Sequence, residues 1–431
     1  MGVDRAAENE RGCIWTAPNW VLGELSVVVE IDDDILAVEL WRAVARVRLW
    51  AHSIENREAL FSGRDDSIAD RRASIERTEP DLARLLDVFA RFHGSVDPPT
   101  EKEVIAACRK VAGWAEQRSA YETAMQFAEA AAMVDPEDPR LANDAGRVCR
   151  RAGDRPRAEV WYSRGIGLAR RSQNKKQYAS GYLGLAAVLR DGGEHYPAMA
   201  LIRRAGNAAK RGGLRGKAAE AYQDALGVAT IHGDITRAVF FAYRALSVYP
   251  VHHKRFPAFA HDVAFLLINR GLYSAATSIL PAVLKHIQRP VERLVVLGSL
   301  ARAAGGAGNQ EVFRSALSEI RAMAFAQRST WAGAIYSAGE GARLLELWDV
   351  AADLADEAIR AARENDDPVV LQLATQLAAE TEHRIEGVET CPEDDPAGRY
   401  LRTLAAELQL RLARWRGPTW RPRRSRGAQD D

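Results

Sequence analysis

Small residues recur on single helical stripes at fixed gaps, and that recurrence limits what this chain can fold into. Ala124, Ala128 and Ala131 are spaced by four and then three residues, and Pro136 follows. Ala238, Ala242, Ala245 and Pro250 repeat the pattern with the same gaps. Ala351, Ala355 and Ala358 repeat it without the proline. Spacings of three and four place side chains on one face of a helix. A stripe of methyl groups there lets a second helix come close, and proline ends the helix that carries it. Repeated, such a unit predicts a stack of paired helices.

Composition agrees. The 431 residues are 47% apolar, as in folded proteins, and biased toward Ala, Leu, Arg and Glu, which favour helix. Net charge is +1 but unevenly spread. Residues 1–100 hold 19 acidic against 12 basic side chains, a net of −7; residues 147–217 hold 17 basic against 4 acidic, a net of +13. A basic block attracts anionic partners, and Arg-rich solvated faces also keep an Ala-rich protein soluble. The four cysteines, Cys13, Cys108, Cys149 and Cys391, show no metal-ligand spacing and no disulfide framework. Cys108 and Cys149 read as small core residues. The charged N-terminus has no apolar signal core, and no run of about 18 apolar residues exists. The cytoplasm is the expected location.

Asp32, Asp33 and Asp34 predict the start of a helix over 35–61, with Leu36, Leu40, Val44, Val47 and Ala51 on one stripe. A preceding apolar stretch, 20–31, reads as a helix better than as a short buried strand. Helices are predicted over 66–77 and 80–92, the latter with Pro80 in its first turn and Thr78 as cap. Three regions result: a helical N-terminal module (1–95), a helical array (96–388), and a C-terminal capping helix with a basic disordered tail (389–431). Within the array, second helices align on Ala124, Ala158, Ala198, Ala238, Ala275, Val312 and Ala351, at intervals of 34, 40, 40, 37, 37 and 39. First helices carry Ala145-Gly146, Leu183-Gly184, Leu297-Gly298 and Ala338-Gly339 at matching positions, and Gly153-Asp154 and Gly233-Asp234 mark turns. Residues 366–384 read as the first helix of a final pair. A helix over 397–415, with Leu401, Leu404, Leu408 and Leu412 on one face, is expected to cover the open end of the stack.

These paired helices, Gly-Asp turns and Ala–Ala–Ala–Pro stripes resemble the tetratricopeptide repeat (TPR) family over about residues 101–387. The stretch 141–170, with Ala145-Gly146, Gly153-Asp154, Ala158 and Tyr162, is the best single repeat. The resemblance implies an all-α solenoid of TPR-like helix-turn-helix repeats. The family repeats every 34 residues, so the 37–40 intervals imply longer helices or turns.

Motifs for catalysis are sparse. Residues 212–218 lack the spacing and the Ser/Thr of a phosphate-binding loop, and 305–308 reads as a plain turn. His252, His253, His261 and Asp262 match no zinc spacing. No enzyme activity and no cofactor are expected. The basic constellation is richer. On the helix over 141–152, Leu141, Ala145, Val148 and Ala152 form the apolar stripe, and Arg140, Asn143, Arg147, Arg150 and Arg151 the opposite one. In the family, first helices hold ligands on the concave side, and an Asn with basic neighbours clamps a carboxylate. Arg140, Asn143, Arg147 and Arg150, with Tyr178 from the next first helix, are the partner-binding candidates this resemblance implies. The expected function is a non-enzymatic scaffold for a protein or peptide partner, acidic by charge. The alternative is a nucleic-acid-associated regulator using 147–217 and the tail, where Arg414, Arg416, Arg421, Arg423, Arg424 and Arg426 interleave with Trp415 and Trp420.

Overall fold

The computed structural model describes residues 30–52, 54–61, 73, 75–77, 79–92, 97–250, 252–323, 328–365, 367–385, 395–415 and 417. Most of the expected helix over 20–31, most of that over 66–77, Thr78 and nearly all of the tail lie outside the described residues. Among the described residues there are nineteen α-helices and no strand. They form two compact units, residues 1–188 and 189–431.

In the first unit, α1 (Asp34–His52), α2 (Arg57–Leu60) and α3 (Pro80–Ala90) precede the paired helices α4 (Glu101–Gln117) and α5 (Tyr121–Val134), α6 (Pro139–Arg151) and α7 (Arg155–Arg171), and then α8 (Lys175–Asp191). The acidic start of α1 works as expected: the Asp33 carboxylate accepts from the backbone of Ile35 and Leu36, each at 3.0 Å. Leu36, Leu40, Val44 and Val47 are buried. With α1 packed on α5 and α3 on α4, one hydrophobic core runs from Leu36 to Val188. The N-terminal helices therefore share the core of the pairs they cover. Cys108 and Cys149 sit fully inside it, and burial pushes both thiols far above their ordinary pKa.

The second unit holds α9 (His195–Arg211), then the pairs α10 (Arg215–Ile231) and α11 (Ile235–Val248), α12 (Phe256–Asn269) and α13 (Tyr273–Leu284), α14 (Pro290–Gly306) and α15 (Gln310–Ala322), α16 (Arg328–Leu344) and α17 (Trp348–Glu364), followed by α18 (Pro368–Glu382) and α19 (Pro396–Arg414). Most turns share one three-residue geometry. Its middle residue is left-handed, Gly153 at φ 83° and Gly233 at φ 68°, and Ser119, Gln173 and Glu346 adopt the same conformation. The next N–H then reaches the carbonyl five residues back, as in Asp154 to Cys149 and Asp234 to Ala229.

Helix length explains the long repeat. The helices α7, α8, α9 and α10 are each 17 residues, and three-residue turns join them, which gives a period of forty. The 34-residue interval arises where α5 and α6 are 14 and 13 residues long. The extra residues are thus about one additional helical turn per helix, not longer loops.

The aligned small residue is the fourth of each second helix, and its N–H bonds to the capping residue's carbonyl, as in Ala124 to Ala120 and Ala238 to Asp234. In α13 and α15 this place belongs to Ala276 and Phe313, both buried, rather than to Ala275 and Val312. The adjacent alanines 275 and 276 are equivalent by composition, and the Asn309 side chain takes the Val312 N–H, which fixes Val312 as third.

Gly305 and Gly306 lie inside α14, not in a turn. The backbones of α14 and α16 touch there: a Cβ on Gly305 would collide with the Gly341 carbonyl, and one on Gly341 with that of Ala301. The C-terminal helix also departs from expectation. Leu401, Leu404, Leu408 and Leu412 are fully buried, but α19 lies along α13, α11 and α12 and does not close the stack beside α17 and α18. Tyr243 donates to the Tyr400 carbonyl at 2.8 Å, Arg411 to that of Leu246 at 2.8 Å, and Arg270 pairs with Asp395 at 2.9 Å. Trp415, assigned to the basic tail by its neighbours, packs on His286 at 4.7 Å.

Candidate functional site

The predicted partner-binding residues are brought together on α6 and α8, but largely to hold those helices. Arg140 pairs with Asp138, the cap of its own helix, at 3.3 Å. Asn143 is buried, and its amide donates to the backbone and side-chain oxygens of Gln177 at 3.0 and 3.1 Å. Its carbonyl oxygen faces Gly165 and Gly181, where no Cβ could be accommodated beside it, and it has no hydrogen-bond partner. Arg147 and Arg151 both reach the buried Glu116, at 2.6 and 2.8 Å, and hold its carboxyl below the usual range against the opposing effect of burial. Arg150 hydrogen-bonds the hydroxyl of buried Tyr162, whose pKa burial raises. Tyr178 meets Tyr182 edge to face at 4.8 Å.

A groove of about 370 Å³ lies beside these residues, between α4 and α6, with Arg109, Lys110 and Arg147 along it. Arg109 is paired with Asp144 at 3.0 Å, so an incoming acid would compete with carboxylates already in place. The wider basic block is similarly occupied. At least seven of its seventeen cations have carboxylate partners, including Arg147, Arg171 and Lys217 with Glu116, Glu137 and Glu220, all outside the segment. Among the described residues, which leave out nearly all of the tail, no observation favours the nucleic-acid alternative.

A second groove, of about 380 Å³, lies wholly in the second unit and was not anticipated. Four successive first helices line it: α10 gives Ile231, α12 gives His261, Asp262 and Phe265, α14 gives Val295 and Ser299, and α16 gives Thr330 and Ser337. Ile231, Phe265 and Val295 are 57%, 40% and 41% exposed. Beside them, His261 hydrogen-bonds Ser299 at 3.0 Å, and Asp262 accepts from Gln223 at 2.7 Å. Tyr249 in turn donates to Gln223. The groove thus offers apolar surface edged by a few positioned polar groups, the makeup of a ligand site. From the sequence Phe265 and Val295 merge with the core, because each sits between apolar neighbours on its helix.

Gly227 keeps one end of this groove open: a Cβ there would meet nothing within 4 Å. A mid-helix glycine costs about 0.5–1 kcal/mol relative to alanine. Gly227→Ala is therefore expected to raise stability by about that amount in urea denaturation, and a loss would mean that a neighbour already fills the space.

On α10, one and two turns before Gly227, Asp224 is paired with Arg255 at 3.0 Å and the buried Glu220 with Lys217 at 2.7 Å. His253 approaches Glu220 to 3.5 Å, and Gly216, from the stretch reminiscent of a phosphate loop, leaves room for its ring. Burial lowers the His253 pKa, Glu220 opposes that, and Lys217, Arg255 and Lys254 add to it. A histidine that is neutral when folded stabilises the protein above its unfolded pKa, near 6.5. That contribution is lost as pH falls below this value toward the lower folded one. Melting temperature should therefore drop through this window, and His253→Asn should flatten the drop. An unchanged slope in the variant would count against this assignment.

The helical hairpins, their shared turns and their buried small-residue stripes define the class: an all-α, TPR-like helical-repeat protein. No protein-family model matches the chain, and no curated protein sequence matches it. Among solved structures, a Rap protein complexed with competence and sporulation factor is 12% identical, covering 80% of this chain and 98% of its own, with a TM-score of 0.44. A signal-transduction ATPase with a tetratricopeptide repeat sensor from Pyrococcus horikoshii is 12% identical, covering 90% of this chain and 64% of its own, at 0.48. BtubC from P. vanneervenii is 14% identical, covering 61% of this chain and 93% of its own, at 0.32. At these scores the comparisons carry no functional argument. Among the described residues, no helix is long and apolar enough to cross a membrane.

Proposed function

We propose that this is a non-enzymatic binding scaffold that holds an extended peptide, or an extended segment of a protein partner, along the first helices of its second unit. The observation that supports the reading is the alignment of Ile231, Phe265 and Val295, exposed on three successive first helices, along one groove. Apolar surface left open in this way gains about 25 cal/mol for each Å² a ligand covers, and Ser299, His261 and Asp262 supply hydrogen-bonding groups for a peptide backbone. Repeat arrays present extended surfaces of this kind.

The test is selection of a displayed random-peptide library on the purified full-length protein, followed by fluorescence anisotropy with an enriched peptide. Phe265→Asp places a charge at the apolar anchor and is expected to weaken binding by more than about tenfold, with circular dichroism unchanged. Equal binding by the variant, or a library with no enriched sequence, would overturn the proposal.

A further inference from the structure

The charges around the second groove are unbalanced in a way that specifies its ligand. Among the described lining residues there is no Lys or Arg, and Asp262 is the only acid. The neighbouring carboxylates are neutralised, Glu220 by Lys217 and Asp224 by Arg255, and both are largely buried. Asp262 differs. Its side chain is 38% exposed and accepts a hydrogen bond from the neutral amide of Gln223. The nearest ionisable donor is Nδ1 of His261, at 3.8 Å, too long for a hydrogen bond. Gln223 is itself held by the Tyr249 hydroxyl, so the carboxylate is oriented by two further residues. An ionised carboxylate can accept about four hydrogen bonds, which leaves this one with free capacity at the groove wall. It stands three residues before Phe265 on α12, hence on the same face of the helix.

Resting on the peptide-binding reading, we infer that the groove selects extended segments in which a large apolar side chain lies next to a lysine or arginine. The apolar side chain covers Phe265 and its neighbours Ile231 and Val295, and the cation pairs with Asp262. Asp262 is the specificity-determining residue, and the preference is opposite in sign to the acidic ligand that the basic face of α6 suggests.

The experiment is the same displayed library selected in parallel on the wild type, Asp262→Asn and Asp262→Lys. The wild-type pool should be enriched in Lys or Arg within one or two positions of an aromatic or branched aliphatic residue. Asp262→Asn should keep the apolar enrichment and lose the cationic one, and Asp262→Lys should shift the flanking position toward Asp or Glu. One synthetic peptide from the wild-type pool should bind Asp262→Asn about two- to fivefold more weakly, with a shallower dependence on salt. Wild-type pools that are apolar without basic enrichment, or basic enrichment that persists in Asp262→Asn, would overturn the inference and leave the scaffold reading intact. Absence of any enriched peptide would overturn both.

Discussion

Tyr162→Ala is expected to lower the stability of the first unit by about 3–5 kcal/mol. The ring lies on α7, is only 4% exposed, and is held between the backbones of two first helices. A Cβ on Gly146 of α6 would come within 3.0 Å of it, and one on Gly184 of α8 would overlap it. Two glycines, one repeat apart, thus form a slot that a flat aromatic fills, and Arg150 satisfies its hydroxyl. Deleting the ring removes its transfer free energy and leaves a cavity that rigid, packed helices close only in part. The reciprocal change, Gly184→Ala, pushes a methyl group into the ring and should cost about 1–3 kcal/mol or more. Urea denaturation of both variants checks the pair. A loss below about 1 kcal/mol for Tyr162→Ala would show that the slot is not a structural keystone.

Leu408→Ala is the second large effect, at about 2–5 kcal/mol. Leu408 is fully buried, midway along the leucine stripe of α19, and α19 packs on α13, α11 and α12. The helix is held at both ends by polar contacts to the array, through Asp395 and Arg411. A cavity beneath it should loosen the helices it covers. Amide exchange is therefore expected to accelerate in α13 and α11, and not in α17 or α18. Acceleration confined to α17 and α18 would instead mean that α19 closes the end of the stack, as its position in the sequence suggests.

That contrast shows what the sequence could and could not convey. Stripes such as Ala238, Ala242 and Ala245 identify their helices and burial because spacing alone sets which residues share a face. The glycine turns were legible at Gly153 and Gly233, whereas Ser119, Gln173 and Glu346 carry no such mark and take the same conformation. Register slipped by one at Ala275 and Val312, where adjacent residues are interchangeable by pattern. The apolar face of α19 was evident, but an apolar stripe does not name the helices it will meet. The site was least legible. Arg147 read as a partner-binding residue, and its ion pair could not be seen, since Glu116, which it shares with Arg151, lies more than thirty residues away. Ile231, Phe265 and Val295 form a groove only because helices from three different repeats stand side by side.

Hydrogen–deuterium exchange of the full chain, with and without a peptide enriched on the wild type, tests the central claim most directly. If the first helices of the second unit hold the ligand, exchange slows in the C-terminal half of α10 and in α12, α14 and α16, while α11, α13, α15 and α19 change little. Protection confined to the second helices and α19, or protection confined to the first unit, would contradict the assignment of this groove.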